Sequence, residues 1–318
     1  MSGAERGNKA VVFAYHNVGA RCLRVLLAHG VDVALVVTHE DNPNENIWFE
    51  HVADVARDYG IPTITPDDPN QPEVAEGIAE LAPDFFFSFY YRLMLKSTLL
   101  AIPKRGGYNM HGSLLPKYRG RVPVNWAVIH GEQETGASLH RMVEKPDAGE
   151  IVAQQAVPIL PDDTAGEVFN KVTLAAEMTL DAALPGLLSG TAPHVMPNLT
   201  QGAYFGGRRP EDGRIDWSRP AAEVHNLIRA VAPPYPGAFF DLGGHRIRVL
   251  GSRSLCLPTL DLPQDDGKAL LIRHEGRLFA RCGDGGIVRI SALELDGQPL
   301  DPAELPDRLG GNPISLLP

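Results

Sequence analysis

Residues 9–39 read KAVVFAYHNVGARCLRVLLAHGVDVALVVTH. Lys9–Tyr15 is a short apolar run of strand type. Residues 20–29 carry apolar side chains at helical spacing, and Gly30 is placed to end that helix. Residues 32–39 form a second strand. Strand, helix, strand is the unit of a parallel sheet, because parallel neighbours need a crossover connection. The alternation continues downstream. Residues 46–59 read as a helix closed by Gly60 and Pro62, Thr63–Thr65 as a short strand, and 72–81 as a helix. PDFFFSFY (83–90) is a third clear strand, and 97–102 reads as part of another helix. The fold class expected is α/β, with a Rossmann-like, mostly parallel sheet flanked by helices.

The second half changes character. Residues 137–143 and 150–159 read as strands around a turn at 145–149, and 164–189 as a long amphipathic helix with Pro185 near its last turn. Residues 191–213 are rich in Gly, Pro and polar side chains, the composition of a linker. A helix over 221–232 and a Pro-rich turn at 233–237 precede five short β runs, separated by glycine turns such as Gly243, Gly267, Gly276 and Gly283. That pattern predicts a small β-barrel or sandwich. The expected domains are 8–190 and 214–310, with 191–213 between them.

Composition narrows the function classes. Of 318 residues, 44% are hydrophobic and 21% charged, and the net charge is −10. An acidic chain is a poor match for a phosphate backbone, so no nucleic-acid partner is expected. No apolar run reaches the ~20 residues of a membrane span, and residues 1–15 lack the pattern of a signal peptide, so the expected location is cytoplasmic. Cys22, Cys256 and Cys282 are odd in number and far apart, which argues against a disulfide framework or a zinc site. No metal is expected. No G-x-G-x-x-G follows the first strand, so no NAD is expected either.

Ligands of such sheets bind beyond the carboxyl ends of the strands. Tyr15-His16-Asn17, Ser88-Phe89-Tyr90-Tyr91 and Asn109-Met110-His111 all fall there. Strand alternation puts Asn109 and His111 on one face, and Tyr108 and Met110 on the other. An amide and an imidazole side by side suit chemistry at a carbonyl: Asn109 as donor to a developing oxyanion, His111 as proton carrier. No Ser or Cys stands in a nucleophile setting, which leaves attack to the substrate. Asp147 in the turn KPDAG is the candidate to orient His111, although the residues alone do not single it out from other acids.

Asn109, His111 two residues later, Ser113-Leu114-Leu115-Pro116, and Asp147-Ala148-Gly149 lying 147 − 111 = 36 residues after the histidine together resemble the formyltransferases that use 10-formyltetrahydrofolate. VVFAYHNVG (11–19), THEDNP (38–43), FSFYYR (87–92) and HNLIRAVAPPYPGAF (225–239) extend the likeness over nearly the whole chain. It is greatest to the branch that formylates the 4-amino group of UDP-4-amino-4-deoxy-L-arabinose, a step of lipid A modification and polymyxin resistance. The resemblance implies a catalytic trio of Asn109, His111 and Asp147. It implies folate contacts at Leu93, Met94, Leu95 and Arg121, and along Val143, Glu144, Lys145, Pro146 and Asp147. It implies an OB-like C-terminal barrel, a 10-formyltetrahydrofolate co-substrate and a UDP-amino sugar partner. The oligomeric state stays open, a homodimer included. So does the choice between a stand-alone enzyme and a fragment, and so do the roles of Lys117 and Arg119. The rival readings are a methionyl-tRNA formyltransferase, a formyltransferase for another nucleotide-linked amino sugar, and a non-catalytic folate-binding regulator.

Overall fold

A computed structural model describes residues 8–43, 45–254 and 269–316. Cys256 and the turn at Gly267 lie outside the described residues. In chain order the first part comprises β1 (Lys9–Ala14), α1 (His16–Ala28), β2 (Asp32–Val37), α2 (Val52–Asp58), β3 (Thr63–Ile64), α3 (Pro72–Glu80), β4 (Phe85–Phe89), α4 (Ser97–Leu100) and β5 (Gly107–His111). Then come β6 (Arg119–Gly120), α5 (Pro123–Ile129), β7 (Glu134–Arg141), β8 (Ile151–Pro158), α6 (Ala165–Ser189) and β9 (Tyr204–Phe205).

Seven strands form one sheet in the order β3-β2-β1-β4-β5-β7-β8. The pairs from β3 through β5 are parallel, and β7 runs antiparallel to β5. The order reverses at β1, which makes the carboxyl ends of β1 and β4 the topological switch point. Residues buried on both faces explain the continuous apolar runs of β1 and β4. Val11, Phe13, Leu35, Val37 and Phe86 pack with Ile78 of α3 and Leu99 of α4. On the opposite face Phe85, Phe87 and Phe89 stack in a ladder, at 5.6 and 5.9 Å between ring centroids, and Tyr108 adjoins it. These phenylalanines are core, as the sequence suggests.

The later elements are α7 (Ala221–Val231), β10 (Ala238–Leu242), β11 (His245–Arg253), β12 (Leu270–His274), β13 (Arg277–Arg281), β14 (Ile287–Leu295), β15 (Gln298–Leu300), α8 (Leu305–Leu309) and β16 (Ile314–Ser315). They build the OB-like antiparallel sheet β10-β11-β14-β13-β12-β16, with β15 on β14. Ile247, Val249, Leu271, Leu278, Val288 and Ile290 form its core with Val224 and Ile228 of α7.

The chain divides into two compact units. One runs through Pro123 and adds Thr135–Val157 and Asn170–Phe205; the other is Val124–Glu134, Pro158–Phe169 and Gly206 onward. Polar contacts explain why the short segments join the second unit. Buried Arg229 donates to the Asp163 carbonyl at 3.0 Å and to Asn226 Oδ1 at 2.8 Å, and Asn125 Nδ2 donates to the Ala230 carbonyl at 2.8 Å. His225 donates through Nε2 to the Pro161 carbonyl at 3.0 Å.

Local elements depart from the sequence reading in several places. Helix α1 starts at His16 rather than Ala20, because His16 has φ +67° and turns the chain straight out of β1. The helix expected over 46–59 is confined to Val52–Asp58. Residues before it are held instead by rings and caps: Trp48 and Phe49 pack on His16, and Glu50 N–H donates to Asn17 Oδ1 at 2.8 Å. Helix α5 and the parallel pair β6–β9 had no periodic signal, being too short to show one. The pair places Tyr204–Phe205, inside the expected linker, beside Arg119–Gly120. Among the described residues no helix is long and apolar enough to cross a membrane.

Candidate functional site

The trio marked out by the sequence converges within the first unit. His111, at the end of β5, is 6% exposed. Its Nε2 lies 2.8 Å from the Tyr118 carbonyl, and its Nδ1 lies 3.5 Å from Asp147 Oδ1. A carbonyl only accepts, so Nε2 carries a proton and donates to Tyr118. Asp147 Oδ2 accepts the Gly120 N–H at 2.8 Å. Burial works to raise the Asp147 carboxyl pKa. The charge on His111 and the Gly120 N–H work against it and hold the group well below the usual carboxylate range. Asp147 is therefore ionised throughout the physiological range.

A second imidazole, His140 of β7, completes the cluster. It is 2% exposed. Its Nε2 stands 3.1 Å from Asn109 Nδ2 and 3.4 Å from Asp147 Oδ1, and its Nδ1 is 3.0 Å from the Arg141 carbonyl. The β5–β7 register sets Asn109 directly opposite His140. His140 has no role among the residues that sequence reasoning singles out. Its signal was present in ASLHRMV, a histidine inside a strand, but only the antiparallel register reveals what it faces.

The Ser-Leu-Leu-Pro motif is scaffold for this cluster. Ser113 Oγ donates to the Lys117 carbonyl at 2.6 Å, Ser138 Oγ donates to the Ser113 carbonyl at 2.6 Å, and the Leu115 N–H donates to Ser138 Oγ at 3.0 Å. Gln154 Nε2 donates to the Leu115 carbonyl at 3.0 Å. This network fixes the turn that presents the Tyr118 carbonyl to His111. At Gly112 a Cβ would lie 2.1 Å from the Tyr90 hydroxyl, so the glycine makes room for that ring. Among the described residues, five of the eight non-glycine residues with positive φ are His16, Tyr90, Tyr118, Val122 and Asp147. Their gathering at this edge is what backbone strain at a functional site looks like.

At the switch point, His16 packs on Phe49 at 3.9 Å and on Trp48 at 4.6 Å, and His39 stacks on Tyr91 at 4.2 Å. Burial, then the charge of Arg92, lowers the His16 pKa to about 3 and the His39 pKa to about 4, so both rings are neutral near pH 7. Arg92 pairs with Glu45 in two contacts of 2.8 and 2.9 Å.

The remaining sequence candidates spread along the same edge. Leu93 and Met94 are exposed and follow β4. Leu95 is not: its side chain is packed in the core with Val11 and Phe86, which leaves only its backbone for a ligand. Asn70 clamps this stretch, donating to the Met94 carbonyl at 2.9 Å and accepting the Lys96 N–H at 2.7 Å. Val143, Glu144 and Lys145 are exposed, and Pro146 is half-buried, in the turn that ends at Asp147. In the basic loop Lys117 and Arg121 are exposed, whereas Arg119 is buried. Among the described residues no group of three or more His, Cys, Asp or Glu side chains is placed to hold a metal ion.

Two family signatures match the chain: formyl transferase over residues 11–184, and formyl transferase, C-terminal domain, over residues 208–307. The chain belongs to the formyl transferase family. Solved structures share the fold. WlaRD, a sugar 3N-formyl transferase solved in the presence of dTDP and 5-N-formyl-THF, is similar with TM-score 0.69 and 19% identity, over 94% of this chain and 99% of that one. The N-formyltransferase from Helicobacter canadensis, in complex with folinic acid and dTDP-3-aminofucose, gives TM-score 0.67 at 19% identity over 92% and 100%. HypX from Aquifex aeolicus gives TM-score 0.61 at 18% identity, over 94% of this chain and 48% of that one. This formyltransferase thus carries both family domains, and its Asn109–His111–Asp147 cluster lies within the N-terminal one.

Proposed function

We propose that this formyltransferase moves a formyl group from 10-formyltetrahydrofolate to the 4-amino group of UDP-4-amino-4-deoxy-L-arabinose, as the formyltransferase half of ArnA does. The observation that carries the reading is the cluster of Asn109, His111 and Asp147 at the carboxyl edge of a family sheet. The choice of acceptor is supported by the sequence likeness in THEDNP and FSFYYR and by the net charge of −10, which disfavours tRNA. The neighbours solved with folates and dTDP or a dTDP-amino sugar support a nucleotide-linked amino sugar more broadly.

A pterin needs apolar contact beside backbone polar groups. Exposed Leu93, Met94 and Val143 offer the apolar side, and the Val143–Asp147 turn offers the backbone. The donor supplies an activated formyl carbonyl. A new C–N bond to the sugar amine forms, the C–N bond to the folate nitrogen breaks, and the amine proton passes to that nitrogen. Asn109 donates an N–H to the oxygen that gains charge, a contribution of roughly 3–4 kcal/mol in a dry site. His111 carries the proton, and Asp147 holds its ring. Because both ring nitrogens already face protein acceptors, His111 has to release Tyr118 to serve.

The test offers the enzyme 10-formyltetrahydrofolate with UDP-4-amino-4-deoxy-L-arabinose, dTDP-3-aminofucose or charged initiator tRNA. The UDP sugar is expected to be formylated fastest, and His111→Ala to abolish turnover while keeping the fold. Formylation of tRNA alone, or full activity in His111→Ala, overturns the proposal.

A further inference from the structure

We infer that His140 is a positioning residue for this reaction: its Nε2 accepts one N–H of the Asn109 carboxamide and fixes that group with its second N–H available to the reacting carbonyl oxygen. The inference rests on the reading of Asn109 as oxyanion donor.

The tautomer follows from the partners. Nδ1 of His140 faces the Arg141 carbonyl at 3.0 Å, and a carbonyl only accepts, so Nδ1 carries the proton. In the neutral ring Nε2 then presents a lone pair. Its nearest neighbour is Asn109 Nδ2 at 3.1 Å, which only donates. Asp147 Oδ1 is farther, at 3.4 Å, and is an acceptor facing an acceptor while His140 is neutral. That carboxylate has other partners, the Gly120 N–H and the His111 ring.

Position and burial make His140 a firm support. The ring stands across the ladder from Asn109 and is 2% exposed, so backbone pairing and packing hold it. Asn109 is only half-buried, and no other hydrogen bond to its side chain is found among the described residues. A carboxamide without such a partner turns over readily and presents its oxygen where its nitrogen should be. A lone pair aimed at a developing oxyanion repels it. His140 thus selects the orientation that can stabilise charge, acting on the substrate only through Asn109.

Four variants test this: His140→Phe, which keeps a flat ring without the acceptor; His140→Gln, which returns an acceptor; and Asn109→Ala, alone and combined with His140→Phe. Formyl transfer is followed from 10-formyltetrahydrofolate to UDP-4-amino-4-deoxy-L-arabinose. His140→Phe should lower kcat roughly 10- to 100-fold with KM for both substrates little changed, the scale of a misplaced catalytic group. His140→Gln should recover part of it. The double variant should be no slower than Asn109→Ala, because residues acting as one unit are not additive. An undiminished kcat in His140→Phe, or losses that multiply in the double variant, overturns the inference. If Asn109→Ala itself leaves turnover unchanged, the reading of Asn109 fails instead. A readout free of catalysis then decides on His140: in protein labelled with ¹⁵N-asparagine, the Asn109 side-chain protons should be well separated and slow to exchange, and His140→Phe should merge them. An unchanged spectrum in folded His140→Phe refutes the hold on Asn109.

Discussion

Asp147→Asn isolates the charge of the shared carboxylate. The substitution keeps size, and asparagine tolerates the left-handed backbone that Asp147 adopts at φ +51°, so the turn should survive. What is lost is the attraction between the carboxylate and a protonated His111 ring 3.5 Å away. At an effective dielectric of ~20 that attraction is about 5 kcal/mol. The amide oxygen of the variant can still face one ring, so about half of it, roughly 2–3 kcal/mol, should appear in the barrier, or about 10²-fold in kcat. The assay is the formyl transfer above, with KM recorded for both substrates. Stability provides an independent reading. The folded-state carboxyl is held below its unfolded value of ~3.9, so its stabilisation is present above that pH and is lost as pH falls towards the folded value. Urea melts should therefore show wild type more stable than Asp147→Asn at pH 7, with the gap closing below about pH 4. A variant with wild-type kcat, or a gap independent of pH, refutes the reasoning.

Three other outcomes are expected. Gly120→Ala puts a Cβ 2.2 Å from the Phe205 carbonyl oxygen at φ +99°, so it should part β6 from β9, cost roughly 2–4 kcal/mol in urea melts and lower activity; a neutral result would show the loop yields freely. The buried His16 and His39 rings have folded pKa values of about 3 and about 4. The unfolded chain therefore binds more protons from about pH 6.5 downward, and stability should decline across that window, with a shallower decline in His16→Gln. Arg229→Ala strands the carbonyls that Arg229 serves and should destabilise the C-terminal unit by roughly 3 kcal/mol, with little rescue by Arg229→Lys, whose ammonium lacks the fork. Thermal melts of the full chain report it.

Much of this was legible in the linear sequence because its signals are local. The alternation of KAVVFA, DVALVV and FFFSF with helical segments determines a parallel sheet, and period two alone places Asn109 and His111 on one face. The motif D-x-G after N-x-H led to Asp147, but by likeness rather than by physics: a turn aspartate advertises nothing about the imidazole it will meet. His140 stayed hidden because strand pairing is a long-range property, and the burial of Leu95 beside the exposed Leu93-Met94 pair was not legible because apolar residues look alike in one dimension. The segment before α2 looked helical from its apolar spacing, yet Trp48 and Phe49 spend their surface on His16.

The reversal of direction between β5 and β7 has a consequence for how this family can change over time. Asn109 and His140 meet only because they share a side of two opposed strands. In the connecting segment that follows Arg121, insertions or deletions that leave β7 in place do not touch the cluster. A shift of β7 by a single residue would instead bring Leu139 or Arg141 to that side and send the imidazole to the other. Variation in the connecting segment is therefore filtered by parity at its end rather than by its content.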